Sequence, residues 1–185
     1  MKDVCLAIIA TIMMALPGVA VAGDQSAGIG GPFALIDQNG RHVTDADFRG
    51  KFMLIYFGYT YCPDACPTTL FAIGQAMVRL TPDERKRVAP IFITVDPERD
   101  TQKVLADYVT SFSPDLVGLT GPPEAVQAVE REYHVYAKKR LETDGSYSMD
   151  HSSIIYLIDG AGKFRAILTV DSTDAQIADG LRKLF

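Results

Sequence analysis

Two cysteines, Cys62 and Cys66, are separated by three residues in the segment CPDAC, and this spacing suits three kinds of chemistry. Such a pair can act as a redox couple, bind a soft metal ion or form a small structural disulfide. A disulfide here would close a very small loop, so the chain-entropy model gives it about 2 kcal/mol of stabilisation at most. The spacing therefore favours a redox couple or a metal site over a structural disulfide.

Three histidines could supply a nitrogen donor beside the thiols. His42 follows an Asn-Gly turn in a polar hairpin, which predicts a solvated surface residue. His134 ends a charged helical pattern, where an imidazolium would complement the helix dipole. His151 differs from both, because it stands at the start of a buried strand.

The elements around the cysteines predict where the thiols lie. Residues 52–59 form a continuous β-branched and aromatic run, which is typical of a strand buried on both faces. A helix is predicted over residues 67–80, with Pro67 at its first position, where the missing N–H has no intrahelical partner to lose. Cys66 would then lie at or next to the N-cap, where the helix dipole lowers the pKa of a thiol. Cys62 would lie in the preceding turn.

The rest of the chain alternates short apolar runs with longer helical patterns, which predicts one three-layer α/β domain. The sheet should be largely parallel, covered by helices on both faces, and made mixed by a final hairpin. The predicted strands are residues 33–37, 52–59, 89–95, 153–158 and 163–170, and the predicted helices are residues 67–80, 101–111, 123–133 and 173–184.

The composition is that of a globular domain. The chain has 185 residues, of which 48% are hydrophobic, and a formal net charge of −5. This length is enough to bury a substantial core. There is no basic stripe, so the sequence excludes nucleic acid as a partner.

The N-terminal segment is typical of a secretory signal. A short basic start precedes an apolar run, a Pro-Gly pair interrupts that run, and Ala20-Val21-Ala22 offers the small residues that a signal peptidase reads. We expect a signal peptide over residues 1–22, a flexible leader over residues 23–31 and a folded domain over residues 32–185. The alternative is an uncleaved membrane anchor, although the run is barely long enough to span a bilayer. Either interpretation places the domain in an oxidising, extracytoplasmic space such as the periplasm.

Three segments, in the same order, resemble the Sco (SenC/PrrC-like) family of copper chaperones. They are the loop CPDACP, the segment ITVDPERDT at residues 93–101 and the segment DHSSIIYLIDGAGKF at residues 150–164. The match extends over nearly the whole mature chain. The resemblance implies a thioredoxin-like fold, which is a three-layer α/β/α domain with a central mixed β-sheet. It also implies that Cys62, Cys66 and His151 bind copper.

The resemblance further implies a function and its partners. Sco proteins deliver copper to the dinuclear CuA centre of cytochrome c oxidase, or reduce the cysteines of that centre before it is metallated. The implied partners are the oxidase subunit that carries the CuA site and other periplasmic copper carriers. Contact with the membrane would come only through a partner or through an uncleaved N-terminus.

The donor set agrees with copper on chemical grounds. Two thiolates and an imidazole form a soft three-coordinate site that suits Cu(I), and the same set accepts Cu(II) with an added ligand. A structural zinc ion would want a fourth protein ligand, and the sequence offers no obvious one. The CxxxC spacing also departs from the CxxC of ordinary disulfide exchangers.

Two functional classes stay open from the sequence. A metallochaperone binds and transfers copper and catalyses no bond change, so it is not an enzyme. A thiol–disulfide oxidoreductase would instead attack a partner disulfide with a thiolate of low pKa. A cleft lined by Tyr59, Tyr61 and Pro63 would suit protein docking in either case.

Four residues near the predicted site keep alternative interpretations. His151 could be a core histidine that is hydrogen-bonded within the fold. Asp150 would either orient the imidazole of His151 or cap the preceding turn. Met149 could add a soft ligand, although packing is the commoner role of such a methionine. Asp96 would cap a helix, position the site or contact a docking partner.

Overall fold

A seven-stranded mixed β-sheet forms the centre of the computed structural model, which describes residues 28–185. The expected signal peptide and residues 23–27 of the expected leader lie outside the described residues. The strands are β1 (Ala34–Asp37), β2 (His42–Thr44), β3 (Phe52–Gly58), β4 (Val88–Thr94), β5 (Val117–Thr120), β6 (Ala137–Leu141), β7 (Tyr147–His151), β8 (Ile154–Ile158) and β9 (Phe164–Thr169). The order across the sheet is β2-β1-β5-β4-β3-β8-β9, while β6 and β7 form a separate two-stranded hairpin.

Five α-helices accompany the strands in the described range. They are α1 (Ala65–Arg79), α2 (Pro82–Lys86), α3 (Gln102–Thr110), α4 (Pro123–Glu132) and α5 (Asp174–Arg182), and a short 3₁₀ helix covers Asp45–Phe48. Within residues 28–185, no helix is both long enough and apolar enough to cross a bilayer.

The helices cover both faces of the sheet. Successive side chains of a strand point to opposite faces, so Tyr56 and Phe57 of β3 report on the two sides. Tyr56 lies on the side of α1, because its hydroxyl contacts Cys66 of that helix. Phe57 lies on the opposite side, where its ring is 5.5 Å from that of Tyr133 at the end of α4. The protein is therefore a three-layer α/β/α domain, as the sequence predicts.

The central strands form the core because their sequences are apolar without interruption. Every residue of β4 is buried, as are six of the seven residues of β3. Strands with both faces covered need no polar alternation. This burial holds β3 rigidly at the centre of the sheet, so the turn that follows it starts from a fixed point.

The expectation of a largely parallel sheet is wrong. Only β3–β4 and β4–β5 are parallel pairs, while the other four pairings of the sheet are antiparallel. A crossover through one helix would return the chain parallel to β3. Here the β6–β7 hairpin lies between α4 and β8, and β8 runs antiparallel to β3.

Candidate metal centre

The two cysteines lie where β3 gives way to α1. Cys62 lies in the turn, and Cys66 is the second residue of α1, so the helix begins two residues earlier than the sequence predicts. Pro67 is consequently its third residue and not its first. Both positions tolerate proline, because N–H groups of the first turn have no intrahelical acceptor. One such free donor, the backbone N–H of Cys66, points to Cys62 Sγ at 3.4 Å.

Cys66 is fully buried and Cys62 is partly exposed, and both are free thiols. Two residues that the sequence pattern does not single out enclose the Cys66 thiol. The hydroxyl of Tyr56 donates to Cys66 Sγ over 3.6 Å. Gly58 leaves room for the sulfur, since a Cβ at that position would lie 2.9 Å from Cys66 Sγ. Their positions in the strand could have identified Tyr56 and Gly58, because alternate residues of a strand point to the same face.

His151 reaches the cysteines from a distant part of the chain. It is the last residue of β7, where it pairs with Ala137 of β6. Its Nε2 lies 3.7 Å from Cys66 Sγ, although 85 positions separate the two residues. The imidazole packs edge-on against Tyr59, with 5.8 Å between the ring centroids. The structure thus brings together the three residues that the resemblance singled out.

A backbone carbonyl orients the imidazole of His151. Its Nδ1 lies 3.0 Å from the oxygen of Ser152. A carbonyl can only accept, so in the neutral ring Nδ1 carries the proton and Nε2 presents a lone pair to the sulfur. The interpretation that Asp150 orients this ring is wrong, because Asp150 is exposed and its carboxylate lies 4.0 Å from Arg140. Successive side chains of a strand point to opposite faces, so β7 points Met149 and His151 inward and Asp150 outward.

Two further interpretations are decided by contacts away from the thiols. Met149 is partly buried and packs against the hydrophobic core, in agreement with the packing alternative. Asp96 is buried, and its carboxylate accepts from Arg99 and, over 3.0 Å, from the hydroxyl of Tyr147. It caps no helix, since Thr101 is the N-cap of α3. Asp96 therefore ties β7 to the segment after β4.

The other two histidines lie on the surface, as the sequence predicts for His42. His42 is exposed on β2. His134 is exposed just after α4 with a φ of 53°, in the left-handed region. Within residues 28–185, no three or more His, Cys, Asp or Glu side chains are already arranged to hold a metal ion. Cys66 and His151 face one another, and Cys62 lies beside them, where its sulfur accepts from the backbone N–H of Cys66.

The two thiols differ in acidity. The hydrogen bond from the Cys66 side chain is the main reason that the pKa of Cys62 lies well below the usual thiol range, and the backbone N–H groups of Asp64 and Cys66 add to it. The same hydrogen bond, together with burial, raises the pKa of Cys66. Cys62 is therefore a partly exposed thiolate that sits beside a buried, protonated thiol.

This difference predicts how the reduced protein reacts with iodoacetamide. Cys62 should be alkylated nearly as fast at pH 6 as at pH 8, because a lowered pKa keeps the thiolate populated until the pH falls to that pKa. An ordinary thiol, with a pKa of about 8.5, is almost wholly protonated at pH 6. Peptide mapping by mass spectrometry separates Cys62 from Cys66, which burial protects. A steep loss of Cys62 alkylation between pH 8 and pH 6 would contradict this assignment.

Comparison with known proteins places this arrangement in a family. The family model described as SCO1/SenC matches residues 21–185. The mitochondrial SCO1 homolog 1 of Arabidopsis thaliana is 40% identical over 168 residues, which are 89% of this chain and 50% of that protein. The chain spans about half the length of the first curated relatives that it matches.

Solved structures give the same result at the level of the fold. Bradyrhizobium japonicum ScoI with copper bound is 46% identical with a TM-score of 0.79, over 85% of this chain and 100% of that one. Yeast Sco1 with copper bound is 35% identical with a TM-score of 0.77, over 84% of this chain and 87% of that one. The thioredoxin-like fold with a central mixed sheet is confirmed. This chain belongs to the SCO1/SenC family.

Proposed function

We propose that this protein is a copper carrier that binds one copper ion with Cys62, Cys66 and His151 and passes it to an acceptor protein. The observation that carries the proposal is the 3.7 Å approach of His151 Nε2 to Cys66 Sγ, between a helix and a strand far apart in sequence. The ion is cargo here, since it enters, is held and leaves. Copper-bound structures of two relatives support the choice of metal.

The spacing of the two facing donors fits a common ion. Metal bonds of about 2.3 Å to sulfur and about 2.0 Å to nitrogen, at a trigonal angle of about 120°, hold the two atoms roughly 3.7 Å apart. Cys66 Sγ and His151 Nε2 already have this separation. Two soft sulfurs and one imidazole nitrogen favour copper over harder ions. Cys62, whose sulfur already accepts from the backbone N–H of Cys66, would be the third donor.

The surroundings give the three donors different parts in transfer. Cys66 is buried under Tyr56, and His151 is oriented by the carbonyl of Ser152. Both are therefore fixed donors. Cys62 is partly exposed in the turn, so a ligand of the acceptor meets it first. Transfer then proceeds by ligand exchange, with the bond to Cys62 replaced before the bonds to the two fixed donors.

The acceptor that we propose is the CuA centre of cytochrome c oxidase, through the subunit that carries it. Family membership supports this choice, together with exposed side chains beside the thiols: Tyr61 is 63% exposed, and Pro63 is exposed as well. Other periplasmic copper carriers are the proposed second class of partner. We place the domain in the extracytoplasmic space, with residues 1–22 as its signal peptide.

A second candidate function is thiol–disulfide exchange, which the pairing of an exposed thiolate with a buried thiol supports. Cys62 would attack one sulfur of a partner disulfide, form a mixed disulfide and release the other partner sulfur as a thiolate. Cys66 would then lose its proton to solvent and attack Cys62. The partner leaves as a dithiol, and the carrier is left with a Cys62–Cys66 disulfide.

The test of the carrier function is copper titration of the reduced protein from residue 23 onward. We expect one Cu(I) per chain, in competition with a chromogenic chelator, and no tight binding in Cys62→Ser or Cys66→Ser. Loss of a thiolate removes a soft donor that the hydroxyl of serine cannot replace. Substoichiometric binding by the wild type, or unchanged affinity in either serine variant, would overturn the proposal.

A further inference from the structure

The side chain of Arg99 lies between the two parts of the site. It belongs to the connection between β4 and α3, and its Cζ atom lies 3.6 Å from the ring centroid of Tyr147 and 4.7 Å from that of Tyr61. Tyr147 is in β7, the strand that ends at His151. Tyr61 directly precedes Cys62. The guanidinium of Arg99 therefore contacts both the strand that ends at His151 and the turn that carries Cys62.

Hydrogen bonds fix the guanidinium in this position. Its Nε donates to the carboxylate of Asp96, and its Nη1 donates to the backbone oxygen of Tyr147 over 2.8 Å. The hydroxyl of Tyr147 in turn donates to the same carboxylate over 3.0 Å. A closed ring of contacts thus joins Arg99, Asp96 and Tyr147. Strand β7 cannot shift relative to residues 96–99 without breaking charged hydrogen bonds.

The β6–β7 hairpin needs such a fastening. Within the described residues it pairs with no strand of the seven-stranded sheet, so no backbone ladder sets its position there. The ion pair of Lys139 with Glu98 also reaches it, but both of these side chains are substantially exposed, and exposed pairs contribute little. The contacts of Arg99 are different, because its side chain is 20% exposed and that of Asp96 is 2% exposed. A desolvated pair constrains its neighbours far more strongly.

The guanidinium of Arg99 is held by its tyrosine contacts as well as by its hydrogen bonds. Its Nη2 is buried and has no hydrogen-bond partner among residues 28–185. Buried donors without partners are rare, because each one costs stability. The arrangement stacks the cation on two tyrosines, where cation–π attraction works best in a partly desolvated site.

We propose that Arg99 is a positioning residue that sets the place of His151 relative to Cys62 and Cys66. This inference rests on the proposed copper site, and it adds a residue that contacts none of the three donors. Arg99 acts on affinity by holding β7, and with it His151, against the turn that carries Cys62. Lysine cannot replace it fully, since a point charge offers neither the planar fork nor the stacking surface.

The test is a double-mutant cycle for Cu(I) affinity, measured by chelator competition on the reduced protein. Arg99→Gln should weaken binding about tenfold or more, as expected for a residue that orients a metal ligand. In the His151→Ala background the same substitution should change affinity by less than about twofold, because the ligand through which it acts is gone. Arg85→Gln, which removes an exposed ion pair with Asp115, should have no effect in either background.

Equal losses in both backgrounds would show a general structural effect and overturn the proposal, as would an unchanged affinity of Arg99→Gln. A second measurement needs no copper. In the metal-free protein, nuclear Overhauser contacts between the rings of His151 and Tyr59 should be present in the wild type and lost in Arg99→Gln. Failure of the wild type to bind copper would refute the carrier function, whereas retained ring contacts in Arg99→Gln would refute the positioning role.

Discussion

Replacing His151 with alanine is expected to lower the affinity of the reduced protein for Cu(I) by more than about 100-fold, since even groups that only orient a metal ligand are worth about 10–100-fold. The substitution removes the only nitrogen donor placed beside the thiols in the described residues. It leaves Cys62 and Cys66 in the turn and the helix. Affinity is measured by competition with a chromogenic Cu(I) chelator.

The same variant separates the two candidate functions. Disulfide exchange needs the two thiols and no imidazole ligand, so His151→Ala should retain much of any reductase activity toward a disulfide peptide. His42→Ala is the matched control, because that histidine is exposed on β2, away from the thiols. If His151→Ala binds copper as tightly as His42→Ala, the imidazole is not a ligand and the carrier proposal loses its third donor.

Gly58→Ala is expected to lower the free energy of unfolding by about 1–3 kcal/mol, the usual cost of extra volume in a packed core. The new Cβ would lie 2.9 Å from Cys66 Sγ and 2.9 Å from a ring carbon of Phe92. Both neighbours are fully buried, so neither can move away freely. The sulfur is expected to shift, and copper affinity should fall together with stability. Urea denaturation and chelator competition measure the two effects.

A matched glycine provides the control for this prediction. Gly180 lies inside α5, and a Cβ there would meet only side chains at 3.6 Å or more. Gly180→Ala should therefore raise stability by about 0.5–1 kcal/mol, because alanine loses less conformational freedom in a helix. If Gly58→Ala is as stable as Gly180→Ala, the space above the Cys66 thiol is not tightly packed.

The sequence predicts the central strands and their helices because burial on both faces leaves a continuous apolar run. The predicted strand over residues 52–59 agrees with β3, and the predicted helix over residues 101–111 agrees with α3. It does not predict β6 and β7, whose segments AKKRL and YSMDH are mostly polar and show no apolar alternation. β6 is exposed along most of its length and β7 is only partly buried, so neither strand has a full core face to create such a pattern.

The same limit applies to the site. Cys62 and Cys66 are visible from their spacing, and His151 from the resemblance. Tyr56, Gly58 and Arg99 read as ordinary core or surface residues, because their roles depend on contacts between segments far apart in the chain. Asp150 shows the reverse error, since a neighbour in sequence points to the opposite side of a strand.

The separation of the β6–β7 hairpin from the main sheet has a consequence for the proposed release of the ion. The two sulfurs belong to the turn and helix that continue β3, a strand buried at six of its seven residues. The nitrogen belongs to a hairpin that, among residues 28–185, pairs with no strand of that sheet. Such units open at a free energy well below that of global unfolding. Once the acceptor has replaced Cys62, opening of the hairpin would withdraw the imidazole while the sheet stays folded. The stability of the sheet would then govern how the two sulfurs hold the ion, and the lower stability of the hairpin would govern its release.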